Sequence, residues 1–146
     1  MTRPVRRPRR EPRTPGSSAA HSALVRAILA ELGTLPGVVI GANASGRALY
    51  IRTAGKRFHV PYGWLAPGGP DVLAVVAPLG RMVAFECKTG DAELTKEQRQ
   101  VHDALRAVGV ETVIVRAVEE AVAAIERSMR CGPSSNSCRD EQKTRP

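Results

Sequence analysis

Residues 68–90 read GGPDVLAVVAPLGRMVAFECKTG. Two apolar runs, Val72–Val76 and Met82–Phe85, flank the short turn Ala77-Pro78-Leu79-Gly80. That pattern predicts an antiparallel hairpin with Asp71 opposite Glu86 or Cys87. Opposed residues of such a pair hold their β-carbons about 5 Å apart. Glu86 and Lys88 are two apart on a strand, so they share a face, and Cys87 projects from the other. The near-continuous apolar character of both runs predicts strands covered on both faces.

The other elements follow from periodicity. Leu24, Ile28 and Leu32 recur at four-residue spacing, which predicts a helix over 20–32, stopped by Gly33 and Pro36. Val38–Ile40 is a short strand, and GANASG at 41–46 is a loop. Ala48–Arg52 and Arg57–Val60 read as strands about a turn at Thr53–Lys56. PYGWLAPGGP, 61–70, is a Gly/Pro loop leading into the hairpin. Thr95–Val108 reads as a helix with Val101, Leu105 and Val108 on one face. Thr112–Arg116 reads as a strand, and Val118, Val122, Ile125 and Met129 mark a last helix. This order predicts an α/β fold, a mixed central sheet flanked by helices.

The chain has 146 residues and a formal net charge of +8. The charge is uneven: residues 1–16 hold six Arg and one Glu, 127–146 hold five basic and two acidic residues, and 17–126 hold 11 of each sign. We expect a basic disordered arm over 1–18, one folded domain over 19–129 and a disordered tail over 130–146. An arm carrying Arg6, Arg7, Arg9 and Arg10 suits a phosphate backbone without reading its sequence. Five aromatic residues are few for a module that stacks bases. No apolar run nears the ~20 residues of a membrane span, and no apolar segment follows the basic N-terminus as in a secretory signal. No membrane partner and a cytoplasmic location are expected. Three cysteines make no disulfide scaffold. Cys131 and Cys138 lack His partners for zinc, and Cys87 faces away from the carboxylates, which disfavours a nucleophilic thiol.

Asp71, Glu86 and Lys88 are the constellation with chemical content. Two carboxylates suit Mg²⁺, which takes oxygen ligands and keeps waters for substrate. Lys88 could meet an attacking water or a phosphate as a point charge. The alternative is an Asp at a loop–strand junction beside a Glu–Lys surface pair. Val83-Ala84-Phe85 before them argues against it, because buried charges are rare unless paired or metal-bound.

Pro70-Asp71 and Glu86-Cys87-Lys88 resemble the PD-(D/E)xK nuclease signature. ANASG, PGGPDVLAV, FECK, LTKEQ and VRAVEEAVAAI, in that order, resemble the VRR-NUC family over about residues 20–126. The resemblance implies a PD-(D/E)xK restriction-endonuclease-like core in the order α-β-β-β-α-β-α. It implies Mg²⁺- or Mn²⁺-dependent DNA cleavage, often at branched structures, with no small-molecule cofactor. Asp71, Glu86 and the Cys87 carbonyl would be metal ligands, Lys88 the catalytic lysine, and Gln98 would face the site. Stand-alone members of this size are typically encoded by phages or bacteria and resemble junction resolvases in acting as homodimers. The host would be a bacterial or phage-infected cell.

Some residues keep two readings. Thr95-Lys96-Glu97-Gln98 also fits a capping box, with Gln98 reaching back to the Thr95 amide. Family members often carry a glutamate early in the first helix, where this chain has His21; it either assists the site or is a solvated helix-entry residue. Asn43, Ser45 and Arg47 either touch phosphate or form an ordinary turn. Tyr62 and Trp64 either wedge against bases or cover the sheet. At the level of function, the alternatives to a structure-selective endonuclease are a DNA-binding module with an idle site and a sequence-specific restriction-type enzyme. There is little spare chain for a recognition domain.

Overall fold

In a computed structural model of the chain, the described residues are 15–44, 46–51, 57–65 and 67–130. Helix α1 spans Pro15–Leu32, followed by strands β1 (Val38–Ala42), β2 (Gly46–Ile51), β3 (Arg57–Tyr62), β4 (Val72–Val76) and β5 (Arg81–Cys87). Helix α2 (Lys96–Ala107), strand β6 (Glu111–Val115) and helix α3 (Val118–Arg130) complete the order. The main sheet is mixed, in the order β1-β4-β5-β6, and β2 and β3 form a separate antiparallel pair. With that pair set aside, the chain reads α-β-β-β-α-β-α, an α/β fold.

The hairpin register follows the sequence reading. Val72 pairs with Phe85 and Val76 with Arg81. β6 then joins β5 in parallel, with Glu86 beside Ile114. The crossover between them carries α2, as a parallel connection requires.

One sheet face meets α1 and α3. Val72, Ala74, Val76, Val83, Phe85, Cys87 and Val115 are buried there with Ile28, Leu32, Ala121, Ala124 and Ile125. Ala121 and Ala124 are small, which lets α3 approach closely. Arg116 joins β6 to α3: its backbone N–H donates to Glu120 Oε2 at 2.8 Å, and its guanidinium donates to the Ala92 carbonyl at 3.1 Å.

Three readings are corrected. The first helix begins at Pro15, inside the segment read as arm; proline is tolerated in a first turn because its missing N–H has no intrahelical partner there. β4 is not covered on both faces, since Leu73 is half-buried and Val75 is 39% exposed. On the opposite face Gln98 and His102 of α2 approach Glu86, and β5 is buried there while the outer part of β4 is not. In α2, His102 and Leu105 are the buried pair, whereas Val108 falls at the C-cap and is exposed.

Candidate functional site

The chain before β4 is held on two sides. The Asp71 N–H donates to the Phe85 carbonyl at 2.9 Å, and the Asn43 N–H donates to the Asp71 carbonyl at 2.8 Å. Asn43 also clamps the preceding loop. Its Nδ2 donates to the carbonyls of Trp64 and Pro70, and its Oδ1 accepts the Trp64 N–H. The side-chain amide assigned to a phosphate contact is therefore occupied by the chain itself. Two glycines allow the fit. A β-carbon on Gly69 would lie 2.1 Å from the Trp64 carbonyl oxygen, and one on Gly68 would lie 2.7 Å from the Glu97 backbone. The loop thus rests against the first turn of α2.

Asp71 Oδ2 accepts the backbone N–H of Cys87 at 2.8 Å. That bond sets the loop carboxylate beside the strand carrying the second carboxylate. Glu86 is 1% exposed, and Lys88 Nζ lies 3.0 Å from its Oε1. The Lys88 backbone N–H donates to Val115 at 2.9 Å, so the lysine is anchored by β6. Cys87 packs into the core on the other face, and burial pushes its thiol up to about 12.

Gln98 reconciles the two readings left open. Its backbone N–H donates to Thr95 Oγ1 and its Oε1 accepts the Thr95 N–H, which is a complete capping box. The same Oε1 accepts from Lys88 Nζ at 2.8 Å, and Nε2 donates to Glu86 Oε1. A carbonyl oxygen has two lone pairs, so one side chain serves both purposes.

Two histidines approach the carboxylates. His21 Nε2 lies 3.4 Å from Asp71 Oδ1, so this residue sits within α1 beside the site. His102, which the sequence reading did not select, is fully buried with Nε2 4.0 Å from Glu86 Oε2. A signal for it existed: Gln98, His102 and Leu105 lie at i, i+4 and i+7 on one helix face. Burial pushes Glu86 up from 4.5 to about 7, with Asp71 adding to the rise and Lys88 opposing it. Burial holds His102 below the ordinary histidine range, which favours the neutral ring.

No protein-family model and no curated protein matches this chain. The functional reading therefore rests on its own residues. Arg6, Arg7, Arg9, Arg10 and Ser45 lie outside the described residues, as do the side chains of Arg47 and Tyr62. Trp64 is 41% exposed. Among the described residues, no three His, Cys, Asp or Glu side chains form a ready-made metal cage. A two-carboxylate set is the donor chemistry that suits Mg²⁺ with waters completing its shell. Burial first and then the Asp71 charge raise the proton affinity of Glu86, so a cation bound near the pair would ease that repulsion. By donor chemistry, the carboxylates of Asp71 and Glu86 suit a hard divalent ion. Among the described residues, no helix is long and apolar enough to cross a membrane.

Proposed function

We propose that this protein is a metal-dependent DNA endonuclease that hydrolyses phosphodiester bonds, built on a PD-(D/E)xK core of the VRR-NUC type and selective for branched DNA. The observation that carries the reading is the environment of Glu86. A carboxylate is buried at a sheet end against a second carboxylate, and one of its oxygens is held by both an ammonium and an amide. Burying such a group is costly, and a fold gains nothing from it that a well-packed apolar residue would not supply.

In this reading Asp71, Glu86 and the Cys87 carbonyl would hold Mg²⁺ or Mn²⁺. That ion supplies charge neutralisation at the scissile phosphate and lowers the proton affinity of water there. Lys88 presents a compact positive charge to the phosphate or the attacking water. Gln98 fixes Lys88 and Glu86 relative to each other. The basic arm, with Arg6, Arg7, Arg9 and Arg10, lies along the DNA backbone, and Ser45 and Arg47 add contacts near the loop after β1. The active species is a homodimer working in the cytoplasm of a bacterial or phage-infected cell.

The test is incubation of purified protein with labelled linear, flap and four-way-junction DNA in Mg²⁺, Mn²⁺ or EDTA. Metal-dependent cutting with preference for a branched substrate is expected. Binding without cutting under every metal would replace the enzyme with a DNA-binding module. Sedimentation of the same preparation tests the dimer.

A further inference from the structure

Among the described residues, four buried side-chain atoms lack a hydrogen-bond partner: Glu86 Oε2, His102 Nδ1 and Nε2, and Thr112 Oγ1. Two of them lie close without bonding: His102 Nε2 is 4.0 Å from Glu86 Oε2, outside hydrogen-bond distance. Both residues are essentially inaccessible, at 0% and 1% exposure. Unpartnered buried polar atoms are uncommon in native proteins and each calls for a reason.

The other Glu86 oxygen is already engaged. Oε1 receives Lys88 and Gln98, which approach from the site side. Oε2 therefore points under α2, toward His102. The ring is carried one turn after Gln98, on the same face of the helix. A bare carboxylate held through one oxygen can still swing about its terminal torsion, which is broad for glutamate. A second donor on Oε2 would lock the plane. A neutral imidazole carries its one N–H on either Nδ1 or Nε2, and the Nε2–H tautomer supplies that donor.

We propose that His102 is a positioning residue for Glu86: its Nε2–H is poised to close the 4.0 Å gap to Oε2 and so fix the plane of the carboxylate as a ligand for a hard divalent cation. This rests on reading Glu86 as a metal ligand. His102 does not touch metal or substrate; it acts through Glu86, as buried partners of ligating carboxylates do. Gln98 and His102 then grip the two oxygens from successive turns of α2, and the docking of that helix sets the ligand geometry. The helix contributes to the site through its side chains and not only through its cap.

The experiment is a Mn²⁺ titration followed by electron paramagnetic resonance, without DNA, on wild type, His102→Leu, His102→Gln and Glu86→Gln, with thermal unfolding of each. His102→Leu should bind Mn²⁺ about 10- to 100-fold more weakly while remaining folded. His102→Gln, whose amide N–H can reach the same oxygen, should recover most of the affinity. Cleavage by His102→Leu should lose turnover with little change in KM for DNA. Should His102→Leu fail to fold, proton–nitrogen spectra of the wild-type imidazole decide: a protected Nε2–H that shifts in Glu86→Gln supports the assignment. Wild-type Mn²⁺ affinity in folded His102→Leu, or no such shift, overturns the role of His102 and leaves the nuclease reading intact. Wild type that binds Mn²⁺ with this His102 dependence but cuts no DNA overturns the nuclease reading and leaves His102 in place. Wild type that binds no Mn²⁺ overturns both.

Discussion

Asp71 Oδ2 accepts the Cys87 backbone N–H at 2.8 Å, so the carboxylate that precedes β4 is tied to the strand that bears Glu86 and Lys88. The bond uses one oxygen of Asp71 and aligns the other toward His21. Cys87 thus meets Asp71 through its backbone while its side chain belongs to the core.

Asp71→Asn and Glu86→Gln should each abolish cleavage and weaken Mn²⁺ binding while leaving the fold intact. An amide keeps the volume and one accepting oxygen but not the second acceptor or the negative charge. Wild-type cutting rates for either variant in saturating Mg²⁺ would remove these residues from the site.

Lys88→Ala should lose about 10²-fold or more in turnover, the scale of removing one transition-state stabiliser. DNA affinity should stay close to wild type, because one phosphate contact is a small share of the basic surface. Lys88→Arg should be a poor replacement, since a planar fork does not fit where a compact ammonium meets Glu86 and Gln98. Unchanged turnover in Lys88→Ala would make the lysine only a structural partner of Glu86.

Gln98 and Thr95 separate capping from catalysis. Thr95→Ala removes the side-chain cap and should cost about 1 kcal/mol of stability with modest loss of activity. Gln98→Ala removes the other half of the box and also the contacts to Lys88 and Glu86. It should cost comparable stability but much more turnover. Equal activity in the two variants at matched stability would confine Gln98 to the cap.

The metal-free protein should show a pH signature of Glu86. Its proton is bound more tightly in the folded chain, at about 7, than at the ordinary 4.5. Protonation therefore favours the fold fully below about pH 4.5, and that contribution is lost as the pH rises to about 7. In EDTA, the urea midpoint of wild type should fall across this window relative to Glu86→Gln, and Mg²⁺ should restore it at pH 8 by binding the folded state. Parallel curves for the two proteins would mean that Glu86 titrates normally.

Deleting residues 1–14, which stops short of α1, removes a net charge of +5. Affinity should drop for all DNAs alike. The slope of log affinity against log salt should shrink by up to about 0.9 for each of roughly five phosphate contacts. An unchanged slope would show that the arm never meets the backbone.

The hairpin and its charged ends were legible in the residues because their causes are local. Alternation fixes which side chains share a face, and a short turn fixes which residues oppose each other, so Val72 meets Phe85 and Asp71 arrives beside Cys87. The helices α2 and α3 were legible for the same reason, through their apolar spacing. What lay beyond the sequence depended on docking between segments far apart in the chain. Gln98 could be read as a cap or a site residue, and only the seat of α2 against Gly68 let it be both. His102 looked like one polar residue in an amphipathic helix until the sheet closed over it. Asn43 could be read as a phosphate contact or as a turn residue until the loop through Trp64 and Pro70 folded onto its amide. Local chemistry determined the strand that presents the carboxylates; long-range packing, which no spacing rule encodes, decided which side chains surround them.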